Sequence, residues 1–218
     1  MLVITSTTTL VPDNPAAAYA AYRQAASAVF LAGTQGLKYK KDHYDLAVDL
    51  SKAGLTYIDE RADEIVIGAM TPLWQIKISQ AIQNFAGGAI SKAISDVADK
   101  NIQRYGTLGG VISSKAPFSV LLPILLSLHV DVQLQDKGCM SLDDYLHCPP
   151  MGELVTGISI AKEAVYTAYK AYRKLPVDEP YLVGAVAMRD DSWRIVVGGR
   201  PGLAAIARSA SEELTEKG

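Results

Sequence analysis

Between Gly106 and Pro123 the chain reads Gly-Thr-Leu-Gly-Gly-Val-Ile-Ser-Ser-Lys-Ala-Pro-Phe-Ser-Val-Leu-Leu-Pro, a run of small residues and hydroxyls joining two apolar segments. Gly109 and Gly110 carry no Cβ, so the backbone there can take conformations closed to other residues or admit a large ligand against the main chain. Thr107, Ser113 and Ser114 place hydroxyls beside them. A Gly-Gly pair is also ordinary turn chemistry. The stretch therefore demands a tight backbone passage between two buried elements and leaves open whether a ligand uses it.

A second passage of this kind comes earlier. Val29-Phe-Leu-Ala predicts a short buried strand that ends in Ala32-Gly33-Thr34-Gln35-Gly36-Leu37. A strand feeding a glycine loop can turn successive backbone N–H groups toward a pyrophosphate. Without such a ligand the same residues make a plain turn.

The remaining pattern alternates helix and strand. Asn14-Pro15 opens an alanine-rich helix, and Asp45 to Leu50 alternates as a half-buried strand. Tyr57 to Ala69 predicts two strands around a charged tip, Asp59 to Glu64, whose carboxylates are read as solvated. Trp74 to Lys100 carries helical spacing broken at Gly87-Gly88, so two helices are expected. Pro117 to Leu128 predicts a buried helix and Val130 to Gln135 a strand. Segments at Glu153, Leu182 and Trp193 are expected to form a three-stranded antiparallel sheet, with helix after Leu203. Because Pro149-Pro150 interrupts the pattern, residues 1–150 (lobes about 1–53 and 54–150) and 151–218 are expected to form separate cores.

The run Asn101-Ile-Gln-Arg-Tyr-Gly-Thr-Leu-Gly-Gly-Val-Ile, then Ala116-Pro117 and Leu121-Leu-Pro-Ile-Leu-Leu-Ser-Leu-His-Val-Asp-Val, resembles a flavin-contacting segment of the FAD-binding subunits of molybdenum hydroxylases. These include the medium subunit of carbon monoxide dehydrogenase and the flavin part of xanthine dehydrogenase. The family segment reads approximately Arg-x-x-Gly-Thr-x-Gly-Gly-Asn-x, then Ser-Pro-x-x-Asp-Leu-x-Pro. Ile67-Gly-Ala-Met-Thr-Pro-Leu73 matches the family's Ile-Gly-Ala-x-Thr-x-Leu, and Ala32 to Leu37 is similar to its Ala-Gly-Gly-Thr-Asp-Leu loop. Tyr169 to Asp178 resembles its Phe-Lys-x-x-x-Arg segment.

The resemblance implies an α+β fold: a two-lobed FAD-binding (PCMH-like) domain followed by a shortened C-terminal domain with an antiparallel sheet and helix. It implies FAD lying across Ala32, Gly33, Thr34, Gln35, Gly36 and Leu37 on one side and Thr107, Leu108, Gly109, Gly110 and Ser113 on the other. Lys170 would stand near the ring, where a fixed cation stabilises negative charge on reduced flavin. The implied partners are a molybdenum-containing large subunit and a [2Fe-2S] small subunit, with electrons passing from the clusters to NAD or a quinone, and a homo-oligomer is open. The sequence departs from the family at Val111 (for Asn), at Val120 (for Asp) and in the first loop, so FAD is expected to bind weakly. The closest backbone approach is expected at Gly110, where Gly110→Val should abolish binding. The alternative is a non-enzymatic scaffold or assembly protein that keeps the fold without the flavin.

Composition narrows the rest. At 218 residues, 49% hydrophobic and with a net charge of −2, the chain can bury a sizeable core and shows no basic footprint for nucleic acid. The apolar run Val120 to Val130 is far shorter than the roughly 20 residues that span a bilayer. The N-terminus has no basic start or cleavage site of a secretory signal, so the cytoplasm is expected. Cys139 and Cys148 fit no cluster or zinc spacing, and no metal is expected at His147-Cys148. His129 is expected to be a satisfied core or boundary histidine. No hydrolase elbow, zincin or Walker motif occurs.

Overall fold

The structure, a computed structural model, describes residues 5–37, 42–97, 99–163, 165–176, 178–199 and 202–217. Met1 to Ile4, part of the N-terminal reading above, lie outside the described residues.

A first lobe holds β1 (Thr5–Leu10), α1 (Pro15–Gln24), β2 (Ala28–Leu31) and β3 (His43–Asp49) in a parallel sheet of order β1-β3-β2. Helix α1 starts where expected: Asn14 accepts the Ala17 N–H at 2.8 Å, and Pro15, which has no N–H to leave unpaired, occupies the first turn. This lobe has its own small core of Ala18, Val48, Leu50, Ala53, Leu55 and Leu154. Phe30 stacks on Tyr22 at 4.2 Å. As an edge strand, β2 is half-buried rather than buried.

The second lobe is built on a five-stranded antiparallel sheet of order β4-β5-β8-β6-β7. Its strands are β4 (Ile58–Glu60), β5 (Glu64–Gly68), β6 (Val130–Leu134), β7 (Gly138–Ser141) and β8 (Val155–Ala161). Around it run α2 (Leu73–Ile78), α3 (Gln80–Asn84), α4 (Ala89–Ser95), α5 (Lys100–Tyr105), α6 (Leu108–Ser114), α7 (Leu121–Ser127) and α8 (Leu142–His147). The expected two helices between Trp74 and Lys100 are in fact three short ones. Ser79 and Phe85 are extended, and Gly87 and Gly88 take φ of 58° and 71°, which breaks the i to i−4 ladder at each junction.

The last unit is an antiparallel sheet of order β12-β11-β10-β9, made of β9 (Tyr166–Tyr172), β10 (Leu182–Arg189), β11 (Ser192–Gly198) and β12 (Ala205–Ile206), with α9 (Arg208–Lys217). The antiparallel sheet and helix are as expected, but the membership differs. Tyr166 to Tyr172 alternates, with Tyr169 buried between exposed Ala168 and Lys170, a period-2 strand that the basic residues disguise. Beyond the short β12, α9 covers the exposed side of β11. Ser211 and Thr215 accept the Ile195 and Trp193 N–H groups, each at 2.9 Å, where a further strand would otherwise pair.

The expected division at residue 150 is corrected. β8 lies between β5 and β6, with Ile158 opposite both Ile67 and Val132. The strand after Pro149-Pro150 thus completes the second lobe's sheet. The core is also continuous: Val183, Ala185, Ala187 and Val196 of the last sheet pack in one cluster with α7, whose every residue is buried, and with Ile158 and Ile160. Two prolines end α8's exit and mark a connection, not a boundary between cores.

Candidate functional site

The two glycine loops meet. A Cβ built on Gly33 would stand 2.0 Å from the Tyr105 carbonyl oxygen and 3.0 Å from Gly106 Cα, so only glycine allows this contact. The second loop is held in turn by the Ile67 to Leu73 segment. The Gly109 N–H donates to Ala69 O at 2.8 Å, Leu108 N–H to Thr71 O at 3.1 Å, and Leu73 N–H to Gly106 O at 2.9 Å. Thr107 caps α6 by accepting the Gly110 N–H on Oγ1 at 3.2 Å. The strand-like bridge between Pro72 and Thr107 completes the frame.

The N–H groups of Leu108, Gly109 and Gly110 are already paired within the protein, so this loop forms a fixed floor. The first loop is the one with donors to offer. Its turn is closed by Leu37 N–H to Thr34 O at 3.1 Å, and Gln35 Nε2 donates to Gly33 O at 3.2 Å. The N–H groups of Thr34 and Gly36 have no backbone partner among the described residues.

Thr34 holds φ 55°, the left-handed region, at the position where the family pattern carries its second glycine. A non-glycine residue there costs about 1–2 kcal/mol, against roughly 0.5–1 kcal/mol of added chain entropy for glycine. Thr34→Gly is therefore expected to raise the unfolding free energy by about 0.5–1 kcal/mol, measured as a higher urea midpoint at unchanged slope.

The other expected site residues are more scattered. Ser113 is on the exposed side of α6, with its hydroxyl beside that of Tyr145. Lys170 is on the exposed face of β9, and no hydrogen bond or ion pair among the described residues joins it to either loop. Val111 and Val120 both pack on the main core, Val120 being buried, so the apolar side chains in place of Asn and Asp serve packing. Nor is Gly110 the tightest point: a Cβ there would meet only Thr107 Oγ1, at 3.1 Å, whereas one on Gly109 would stand 2.8 Å from Ala69 Cβ. Sequence reading missed the pairing of Gly109 with Ala69, although the quoted Ile67-Gly-Ala match was its one visible signal.

His129 is a boundary residue in a charged cluster. Arg189 Nη1 reaches its Nδ1, Arg194 Nη2 lies 3.0 Å from its Nε2, and Glu163 Oε2 is 3.7 Å from Nδ1. Burial, Arg189 and Arg194 together lower the imidazole pKa below its ordinary value of 6.5. The Arg189 hydrogen bond lowers that of Glu163 below 4.5. The unfolded chain binds more protons at both groups, so stability falls as pH drops below about 6.5 for His129, with a second loss below about 4.5 for Glu163. His129→Asn is expected to flatten the first limb only, read from urea midpoints between pH 7 and pH 5.

His147 contacts Asp143, at 2.8 Å from its carbonyl oxygen and 3.2 Å from Oδ1. Cys139 and Cys148 are exposed free thiols, and no metal-capable group of side chains occurs among the described residues. No helix among the described residues is long and apolar enough to cross a membrane.

A family model for the FAD binding domain in molybdopterin dehydrogenase matches residues 5–162. The chain belongs to that family. The matched span ends just past β8, in agreement with the strand's place in the second lobe. The chain of this FAD-binding family is also 29% identical over 175 residues to the uncharacterized protein YgfM of Escherichia coli K12, covering 79% of this chain and 66% of that protein. It thus spans slightly under two thirds of that relative's length. Among solved structures, a carbon monoxide dehydrogenase from Hydrogenophaga pseudoflava matches with TM-score 0.84 at 22% identity, over 94% of this chain and 78% of that chain. Quinoline 2-oxidoreductase from Pseudomonas putida 86 matches with TM-score 0.84 at 18% identity, over 98% and 79%. Reconstituted CO dehydrogenase from Oligotropha carboxidovorans matches with TM-score 0.81 at 23% identity, over 98% and 80%. At these identities the structural matches establish the fold.

The cofactor of this FAD-binding domain is FAD, and the residues present suit it. The Gly33 contact, which any Cβ would obstruct, brings the two loops together. Beside it the first loop carries backbone N–H groups at Thr34 and Gly36 that suit a pyrophosphate. Hydrogen bonds from the second loop to Ala69 and Thr71 keep the floor in place.

Proposed function

We propose that the chain is the FAD-carrying electron-transfer subunit of a molybdenum-hydroxylase-type oxidoreductase. The observation that carries this reading is the seating of Gly33 directly on the Tyr105-Gly106 peptide, which joins the two loops into one surface. Ala32 to Leu37 would hold the pyrophosphate through backbone N–H groups, and Thr107 to Gly110 would support it from below. Bound FAD supplies the ability to take up and release electrons one or two at a time. The protein's own residues bind and orient it, and Lys170 is the fixed cation proposed to favour negative charge on the reduced ring.

Two exposed cysteines are too few to ligate a cluster. A [2Fe-2S] small subunit and a molybdenum-containing large subunit are accordingly proposed as partners, with NAD or a quinone as the final acceptor. Unpaired thiols also suit a reducing compartment, so the cytoplasm is the proposed location.

A second reading is favoured by one observation: the N–H groups of Leu108 to Gly110 are paired within the protein. A scaffold protein that keeps the fold without flavin would look the same there. An absorbance spectrum of the purified chain, followed by flavin extraction, separates the two. The flavin reading expects a yellow protein that releases FAD on denaturation and co-purifies with larger subunits. A colourless protein that stays so in excess FAD would leave the scaffold reading.

A further inference from the structure

At the opposite end of the five-stranded sheet from the glycine loops lies a cleft of about 120 Å³, between that sheet and the last one. The register sets the separation: Gly68 and Gly157 pair beside the loops, while Glu64 and Ala161 pair at the cleft end. Four residues of strand put about 13 Å between the two ends. The cleft is therefore separate from the flavin surface.

Its polar wall is the His129, Glu163, Arg189 and Arg194 cluster, and its apolar wall includes Phe85 and Trp193. A guanidinium can only donate hydrogen bonds, and a neutral imidazole has one lone pair to accept them. Yet Arg189 reaches Nδ1 and Arg194 reaches Nε2 of the same ring. One of the two guanidiniums must therefore face an N–H and lacks an acceptor there. Arg189 also donates to Glu163, and so has a carboxylate of its own. Half-buried Arg194 has only His129 and the Leu128 carbonyl oxygen at 3.3 Å, with no carboxylate at ion-pair distance among the described residues.

The charges select the ligand. Among the groups that touch the ring or one another, two guanidiniums against one carboxylate leave a single net positive charge around a neutral imidazole. Asp143, already paired with Arg208 at 2.7 Å, and Asp131, exposed on β6, act on the cluster only from beyond ion-pair distance. A monoanion balances this, whereas a dianionic phosphate would meet Glu163 with a surplus charge. The apolar wall favours an organic body over a hydrated inorganic ion. A closed cavity of roughly 150 Å³ admits a benzene ring; this cleft is smaller but open to solvent, so it takes only a small ligand whose body stays partly in the opening. We propose that this cleft binds a small organic monocarboxylate, its carboxylate on Arg194 and Arg189 and its body against Phe85 and Trp193.

Calorimetric titration of the full chain with benzoate, with its neutral isostere benzamide and with inorganic phosphate tests this. Benzoate is expected to bind with a Kd on the order of 1 mM or below, and benzamide and phosphate at least about tenfold more weakly. Arg194→Gln should weaken benzoate by about tenfold or more. Glu163→Gln should tighten it, a gain that misfolding cannot mimic. FAD content should not change when benzoate is added, so failure here would leave the flavin reading standing. The proposal is overturned if phosphate or benzamide binds as well as benzoate, if benzoate does not bind, or if Glu163→Gln weakens it.

Discussion

Gly33→Ala is expected to strip the protein of FAD and to destabilise it. The added methyl would stand 2.0 Å from the Tyr105 carbonyl oxygen, well inside van der Waals contact, and that obstacle is backbone, which cannot rotate away as a side chain can. Relief requires the first loop to lift from the Tyr105-Gly106 peptide. Overpacking of this kind costs about 1–3 kcal/mol, and more where backbone must move. Two measurements check it: the urea midpoint should fall by the corresponding amount, and extracted FAD should fall to background under conditions where wild type retains it. Gly36→Ala is the control, because nothing lies within 4 Å of a Cβ at that position and its φ is not positive. It should leave stability within about 0.5 kcal/mol. Retention of FAD by Gly33→Ala at wild-type level would show that contact between the loops is not needed.

The second large effect separates two neighbouring glycines. Gly109→Ala sets a methyl 2.8 Å from Ala69 Cβ and 3.0 Å from Ala69 O, against a segment fixed by the Gly109 N–H to Ala69 O bond. Gly110→Ala meets only Thr107 Oγ1, at 3.1 Å, and the hydroxyl can yield. Gly109→Ala is thus expected to cost about 1–3 kcal/mol and to displace the floor of the flavin surface. Gly110→Ala, in a helical position, should be neutral or stabilising by up to about 1 kcal/mol. Equal losses of thermal stability and FAD content in the two variants would contradict this geometry. The comparison also bears on Gly110→Val, whose expected effect now rests on crowding Thr107 rather than on Gly110 being the point of closest backbone approach.

Local chemistry made much of the fold readable. Asn14-Pro15 marked a helix start because capping is a matter of adjacent residues. The alternation in Val130 to Gln135 appears as β6 because a half-buried strand imposes period 2, while Asp45 to Leu50 gives the strand β3 with Ala47 and Val48 both buried, since that strand is central in its sheet. The glycines at 33, 109 and 110 signalled a backbone passage, and the family pattern around them ordered the two loops.

Non-local pairing decided the rest. Nothing within Glu153 to Ala161 says that its neighbours are β5 and β6 rather than Leu182 to Arg189, since an apolar strand has the same alternation in either sheet. The choice depends on which sheet's open edges its two sides can satisfy. Tyr166 to Tyr172 then takes the place left in the last sheet. The same limit holds at the site. By itself the sequence determined that two glycine loops exist and that a flavin family shares them. Only the tertiary structure decided that Gly33 rests on Tyr105-Gly106, that Gly109 rests on Ala69, and that the second loop's N–H groups are used within the protein. These contacts join residues distant along the chain, and the close approach that forbids a Cβ is a property of two backbones together, invisible in either one.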